Sequence, residues 1–253
     1  MKKRFLILSI SILFICNMPC KAQQDSTGLY YELTITTHTN QMDVHNNTKI
    51  YLAPSGDMRQ ETQTTLPMMG KIDMVTITTK NDPSHAILIN EKTKVYAIIN
   101  VPPDTVKEDM GNASLINAGK ETLNGFPCAA LDIIDKGDTT RLWISENVPC
   151  NKKSTNVLAK VMGLDPNGDF IKFIKEKGYK GSWVKFATNS NSKSPDAVEM
   201  VMELTKAKYA DVPESLMKVP AGYTQTKGDP FAMHVHNETK INEQFKAKGK
   251  IGK

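Results

Sequence analysis

Apolar and polar residues alternate with a period of two along much of the chain, and this alternation limits the possible folds more than any other feature. In its first example Leu29, Leu33 and Ile35 alternate with Glu32 and Thr34. Successive side chains of a β-strand point to opposite faces of a sheet, so the pattern predicts an antiparallel strand with one buried and one hydrated face. Similar segments recur as far as residues 197–205.

Short turn sequences separate about ten such segments. Asn124-Gly125 is the clearest, because both residues tolerate the positive φ angles of a two-residue hairpin turn. The segments 54–57 and 136–138 are also rich in turn-forming residues. Consecutive short strands joined by hairpin turns are typical of one curved antiparallel sheet or an open barrel.

Two segments have the pattern of short helices. Ser154 or Thr155 is placed to cap the first, which we expect to end at Gly163, and the second is predicted to begin at Asp165-Pro166 and end at Gly178. Helices this short are unstable unless the sheet buries their apolar sides. The predicted fold class is therefore α+β, mainly β: a curved antiparallel sheet or incompletely closed β-barrel, with two short helices covering its concave face.

The first 22 residues are typical of a secretory signal peptide. Lys2, Lys3 and Arg4 precede an apolar run over residues 5–16, and Ala22 supplies a small residue at the cleavage position. We expect an exported protein, periplasmic or secreted, that is cleaved near Ala22 and has no later transmembrane segment. A retained membrane anchor and lipid attachment at a cysteine are the alternatives.

The remainder of the chain is predicted to be one domain followed by a tail. Residues 23–230 are expected to form a single β domain, and residues 231–253 a basic, flexible tail. Without residues 1–22 the chain has 28 basic and 27 acidic side chains. A nucleic-acid-binding protein normally has a strong basic excess, so we expect no nucleic-acid partner.

Two cysteines, Cys128 and Cys150, remain after removal of the signal peptide. In an oxidising compartment such a pair is most simply a disulfide, and two separate buried thiols are the alternative. The sequence around them has neither a CxxC motif nor the nearby histidines that a zinc site requires.

Sequence motifs for catalysis and cofactor binding are missing. The chain has no GxSxG, HExxH, Walker or GxGxxG motif. His234 and His236 would share one face of a strand, as metal ligands do, but they lack a third ligand nearby, and a hydrated pair is the simpler interpretation. We expect no cofactor, no metal and no enzymatic activity, with a hydrolase as the remaining alternative.

Several apolar residues lie where a ligand cleft is expected. Met68 and Met69 are in a turn-like segment, and methionine adapts to irregular apolar partners. They are predicted either to line the mouth of a hydrophobic cleft or to close one end of the core. The other cleft candidates lie on the second predicted helix and the last long strand: Phe170, Phe173, Ile174, Met200 and Met202.

Short motifs in the middle and near the end of the chain resemble those of a known family. They are LNGFPC at 123–128, TRLWIS at 140–145, VPESL at 212–216 and VPAGY at 219–223. The resemblance spans about Gly28 to Tyr223 and is to a domain-of-unknown-function family, the 4412 family, of exported Bacteroidota proteins. That family is similar in fold to periplasmic lipoprotein carriers of the LolA and LppX type, which hold acyl chains in an apolar cavity. The resemblance implies a carrier-like half-barrel over residues 23–230 and no catalytic residues.

Two functional hypotheses follow. The first is a non-enzymatic exported protein that binds a hydrophobic ligand, a lipid or a lipoprotein acyl chain, in an apolar cleft. The alternative is a cell-envelope interaction or structural protein that binds a protein or glycan partner through its β surface. A ligand cleft does not need the basic tail, whereas a surface partner is able to use it.

Overall fold

The computed structural model describes residues 27–39, 42–66, 70–101, 110, 112–135, 137–151, 154, 168–189, 199–228 and 230–231. These residues form twelve β-strands, one α-helix and a single 3₁₀ turn. In this part of the chain no helix has the length and apolar character needed to cross a membrane. The signal-peptide segment, Met68, Met69, His234 and His236 lie outside the described residues.

The strands of the first half are β1 (Gly28–His38), β2 (Asp43–Leu52), β3 (Met58–Leu66), β4 (Gly70–Thr79), β5 (Asp82–Asn90) and β6 (Val95–Asn100). Those of the second half are β7 (Ser114–Leu123), β8 (Phe126–Asp135), β9 (Asp138–Ser145), β10 (Ser182–Asn189), β11 (Glu199–Ala210) and β12 (Thr224–Gln225). The α-helix, α1, is Asp169–Glu176, and the 3₁₀ turn is Glu214–Met217.

All twelve strands belong to one sheet with the order β12-β6-β5-β4-β3-β2-β1-β11-β10-β9-β8-β7. The described pairings are antiparallel except for that between β12 and β6, which is parallel. The sheet is curved and unclosed, because β12 and β7 end the strand order and do not pair with each other. The predicted mainly β fold with a curved antiparallel sheet is confirmed, with twelve described strands instead of about ten.

Besides the two-residue β12, two longer strands occupy segments whose sequence pattern does not predict them. β3 is almost wholly polar, and β7 has no regular alternation of apolar and polar residues. β3 lies between β2 and β4, so its backbone groups are hydrogen-bonded on both sides whatever its side chains are. Pairing with neighbouring strands, and not hydrophobic pattern, therefore defines these two strands.

The helix α1 begins later than the sequence predicts. Gly168 is its N-cap and is extended, with φ −67° and ψ 167°, so the helix starts at Asp169 and not at Pro166. Phe170 and Ile174, one turn apart, are its buried residues. The first predicted helix, residues 154–163, lies outside the described residues apart from Ser154. The prediction of two helices is therefore corrected to one among the described residues.

The two faces of the sheet differ, and we name them after residues of β1. The Leu33 face carries Leu29, Tyr31 and Leu33, none of them more than 1% exposed, and the Glu32 face carries the residues between them. The main hydrophobic cluster combines these side chains with residues of β2, β8 to β11 and α1. Full burial of one leucine or isoleucine contributes about 1.5–3 kcal/mol, so this cluster supplies much of the stability.

The segment after β11 covers part of the Glu32 face. It packs Val219 and Tyr223 against a buried cluster on β4 and β5 that consists of Val75, Ile77 and Ile89. The segment is fixed near its end, where Asn90 Nδ2 donates to the carbonyl oxygen of Pro230 at 3.1 Å. The Glu32 face is therefore apolar and covered at Val75, Ile77 and Ile89 of β4 and β5, and largely polar from Asp73 of β4 to β1.

An ion pair between β8 and β9 predicts a pH dependence of stability. Arg141 donates from Nε to Asp132 Oδ1 at 2.5 Å and from Nη2 to Oδ2 at 2.7 Å. These hydrogen bonds, together with the charge of Arg141, lower the pKa of Asp132. A lowered folded-state pKa stabilises the protein above the unfolded pKa of about 3.9, and this stabilisation is lost as pH falls through the folded-state pKa.

We therefore expect Asp132→Asn to lower the free energy of unfolding near neutral pH by at most about 1 kcal/mol, because the pair is partly exposed. At a pH well below the folded-state pKa the variant and the wild type are expected to be equally stable. Urea unfolding at both pH values measures the difference. An equal loss at both would contradict an ionic origin.

Candidate functional site

Five of the seven predicted cleft residues come together in one cluster. Phe170, Ile174 and Met202 are buried in it, with exposed fractions of 7%, 5% and 2%. Phe173 and Met200 are half-buried and pack against it. Met68 and Met69 lie outside the described residues. The structure thus brings helix and strand candidates together, and their contact with a ligand stays a prediction.

No disulfide joins Cys128 and Cys150 in the structure. Cys128 is buried on β8, where its thiol donates to the carbonyl oxygen of Phe126 at 3.1 Å, and burial raises its pKa. A thiol with a raised pKa is protonated at neutral pH and is a poor nucleophile. The carbonyl oxygen of Cys150 accepts a hydrogen bond from Tyr209 at 3.4 Å. The predicted disulfide is not shown and stays a prediction for the exported protein.

The Leu33 face continues beyond the main cluster onto β4, β5 and β6. Strand register aligns Met74 with Leu33 in one cross-strand row. In the adjacent row it aligns Leu88 with Tyr31. Met74 and Leu88 are half-buried, and neither belongs to a hydrophobic cluster of the described residues. Ile99 lies on the same face of β6 and is 38% exposed. We call Met74, Leu88 and Ile99 the apolar strip.

Polar side chains lie beside the apolar strip on the Leu33 face. Thr48 Oγ1 and Thr62 Oγ1 are 3.2 Å apart, and Gln60 Nε2 donates to Thr62 Oγ1 at 3.2 Å. These groups satisfy one another. Asn46, by contrast, has a buried Oδ1 with no hydrogen-bond partner. The face therefore combines apolar surface with one buried acceptor whose hydrogen-bonding capacity is unused.

A groove of about 420 Å³ lies on the Glu32 face across β1 to β4. Register aligns two rows of side chains along it: Glu32, Lys49 and Glu61 in one row, and Thr34, Asn47, Gln63 and Asp73 in the other. Glu91, in the turn after β5, adds another carboxylate to the lining. We call this the polar groove.

A buried guanidinium holds two carboxylates of the polar groove. Arg59 is 6% exposed. It donates from Nε to Glu61 Oε1 at 2.8 Å and from Nη2 to Glu91 Oε1 at 2.9 Å. One guanidinium therefore holds both carboxylates through charge-assisted hydrogen bonds, which position them and offset one of their two negative charges.

The other two carboxylates of the polar groove also have partners. Glu32 accepts a hydrogen bond from the Tyr30 hydroxyl at 2.8 Å, and Lys206 Nζ lies 3.2 Å from the same oxygen. The hydrogen bond from Tyr30, with help from Lys206, lowers the pKa of Glu32. Gln63 Nε2 donates to Asp73 Oδ1 at 2.8 Å. The groove is therefore an organised polar surface whose acidic groups are engaged.

One serine–histidine–aspartate group is present, at the hairpin between β4 and β5. His85 Nδ1 lies 2.9 Å from both carboxylate oxygens of Asp82, and Ser84 Oγ lies 3.1 Å from the same ring nitrogen. A catalytic relay needs the carboxylate at one ring nitrogen and the nucleophile at the other. This exposed group therefore lacks triad geometry. The described residues also hold no group of three acidic, histidine or cysteine side chains placed to bind a metal.

The fold and the two surfaces define a class: an α+β protein on one open twelve-stranded sheet, with an apolar strip on one face and a polar groove on the other. The chain belongs to the family described as a domain of unknown function (DUF4412), which matches residues 31–223. No curated protein matches the chain. The family predicted from the sequence motifs is confirmed, and its bacterial group stays a prediction.

Solved structures similar to this chain include three from different bacteria. The MucA/MucB complex of Pseudomonas aeruginosa matches with a TM-score of 0.39 and 10% identity, over 78% of this chain and 57% of that chain. A DUF1329 family protein from Desulfovibrio piger has a TM-score of 0.35 and 9% identity, over 76% and 90%. A LolA superfamily protein from Nitrosomonas europaea has a TM-score of 0.33 and 9% identity, also over 76% and 90%. The chain thus spans little more than half of the MucB-containing match, and likeness at this level says nothing of what it binds.

The polar groove is the feature that sequence patterns miss. Its residues lie on the four neighbouring strands β1 to β4 and in the turn after β5, and Glu61 and Gln63 belong to β3, which the hydrophobic pattern does not predict. The signal available in the sequence is the polar set of alternating positions in β1, continued by Asn47 and Lys49 in β2. Such a pattern is equally typical of an ordinary hydrated face, so it does not single out a groove.

Proposed function

We propose that this protein is a non-enzymatic exported protein that binds a hydrophobic ligand, a lipid or lipoprotein acyl chain, on the Leu33 face of its sheet. The observation that carries the proposal is the apolar strip. Met74, Leu88 and Ile99 continue the face that forms the core, yet they lie outside the packed clusters of the described residues. Apolar surface on the inner side of an open sheet is suited to a flexible alkyl chain.

The unpaired acceptor on the same face supports a ligand with a polar end. Asn46 lies in line with Ile35 and, through Thr64, with Ile72. Its Oδ1 is shielded from solvent and has no hydrogen-bond partner in the structure. A hydroxyl or amide group of a lipid that enters between the side chains around it would remove the cost of leaving it unpaired. A lipid has both parts, an alkyl chain for the apolar strip and a donor for Asn46.

The predicted cleft residues have different places in this proposal. Phe173 and Met200 are half-buried at the edge of the main cluster and are able to reach a ligand. Phe170, Ile174 and Met202 are buried within the cluster, where they support the residues that are able to reach a ligand. The contribution of Met68 and Met69 at the mouth of the cleft stays a proposal.

Two adjacent residues of β6 give a matched test. Ile99 is on the Leu33 face and Ile98 is on the opposite face, and they are 38% and 52% exposed. We expect Ile99→Asp to weaken binding of the fluorescent fatty acid cis-parinaric acid about tenfold, because loss of one apolar contact costs about 1.5 kcal/mol. Ile98→Asp is expected to leave the affinity unchanged. Fluorescence titration measures both.

The outcomes against this proposal are distinct. Equal affinity of both variants and the wild type would exclude the apolar strip as the site, and equal weakening would indicate a general loss of structure, which circular dichroism detects.

Native mass spectrometry of the protein from its own envelope adds an independent readout. A bound mass that disappears on denaturation and extracts into organic solvent supports the carrier function.

A further inference from the structure

We propose that the polar groove is a binding site for a neutral oligosaccharide. This inference does not rest on the proposed function, since the charged and polar side chains of the groove lie on the Glu32 face and the apolar strip lies on the Leu33 face. Met74 of the apolar strip also borders the groove. Its volume of about 420 Å³ is within the range of small-molecule sites. The described strands β1 to β4 that form its floor are fully paired within the sheet, so the site is rigid before a ligand arrives.

The charge balance of the groove argues against a strongly charged ligand. Four carboxylates line it, and three cations, Lys49, Lys206 and Arg59, offset them. Arg59 and Lys206 hold three of the carboxylates directly, and Gln63 donates to the fourth. A ligand with a high positive charge would have to displace these internal partners, and one with a high negative charge would meet four acidic groups.

The hydrogen-bonding groups of the groove match hydroxyl groups, which both donate and accept. Thr34 and Asn47 line the groove and make no side-chain hydrogen bond in the described structure, so both are available to a ligand. Carboxylates fixed by one partner keep further lone pairs that accept from a hydroxyl group, and Lys49 is placed to donate. Donors and acceptors alternate across the strands, as recognition of a polyhydroxyl chain requires.

The proposal is tested by NMR titration of the exported form of the protein. The ligands are neutral trisaccharides of the glucan, mannan, xylan and N-acetylglucosamine series. At least one is expected to shift the backbone amide resonances of β1 to β4 while the resonances around Ile99 stay unchanged. Asn47→Ala and Thr34→Val are each expected to weaken binding of that saccharide about tenfold, because each leaves a ligand hydroxyl group unpaired. Asn100→Ala, which removes an exposed asparagine at the end of β6 that does not line the groove, is the matched control and is expected to have no effect.

Three results would overturn the proposal. The first is the absence of groove resonance shifts with every neutral saccharide. The second is saccharide binding that Asn47→Ala and Thr34→Val leave intact. The third is a groove that responds only to trilysine or to a sulfated oligosaccharide, which would assign it to a charged protein or polyanion partner. Binding of cis-parinaric acid in the same variants stays unchanged if the two faces are independent sites.

Discussion

Replacement of Met202 by aspartate is expected to cost about 4 kcal/mol or more of folding free energy. Met202 is 2% exposed, and register places it between Ile35 of β1 and Phe186 of β10 in the main cluster. A carboxylate at this position would be buried without a hydrogen-bonding or cationic partner, which is among the most destabilising single changes. Urea unfolding followed by circular dichroism measures the loss.

Met200→Asp is the matched control, two residues earlier on the same strand and the same face. Met200 is half-buried, so a carboxylate there reaches water and is expected to cost about 1 kcal/mol. If the two variants were equally stable, Met202 would border an open space and not a packed core. That result would move Met202 from the supporting cluster to the ligand-contacting residues.

Replacement of Gly181 by alanine is expected to destabilise the protein by about 3 kcal/mol or more. Gly181 precedes β10 with φ +101°, a conformation that residues with a Cβ rarely adopt. An added Cβ would also overlap the carbonyl group of Ser145 and lie 2.8 Å from Cα of Glu146. These are backbone atoms of the end of β9 and of its following turn, so they are unable to move without disturbing the pairing of β9 with β10.

Gly178→Ala separates the cost of the positive φ angle from the cost of the steric overlap. Gly178 also has a positive φ, +86°, but an added Cβ there would meet no atom within 4 Å. Its expected cost is therefore about 1 kcal/mol, from backbone conformation alone. Thermal unfolding of both variants measures the difference, and equal melting temperatures would contradict the close approach of residue 181 to β9.

The strands with one apolar face were predictable because alternating apolar and polar residues indicate which face of a strand is buried. β1 shows this, with Leu29, Tyr31 and Leu33 buried as the pattern predicts. β3 shows the opposite case, because it is polar between its first and last residues and is held by hydrogen bonds to both neighbours. Backbone pairing depends on what lies beside a segment, and a hydrophobic pattern does not record that.

The candidate sites also differ in how far a local sequence pattern predicts them. The helix and strand that form the predicted cleft could be recognised, since Phe170 and Ile174 recur at helical spacing and are buried together. Whether those side chains also line a ligand site depends on the packing around them. In the structure Phe170, Ile174 and Met202 are buried in one cluster, and contact with a ligand stays a prediction. The polar groove could not be predicted, because Asn47 and Gln63 become neighbours only through the register of β2 and β3.

The sequence by itself determined that this chain is a mainly β protein of the DUF4412 family, because periodicity and short motifs are local properties. Only the tertiary structure decided that β11 inserts beside β1 and that the segment after β11 packs Val219 and Tyr223 over β4 and β5. The same contacts leave an apolar strip on one face and a polar groove on the other. Their physical origin is non-local: surfaces form where strands distant in sequence pair, and no single segment carries the information for that pairing.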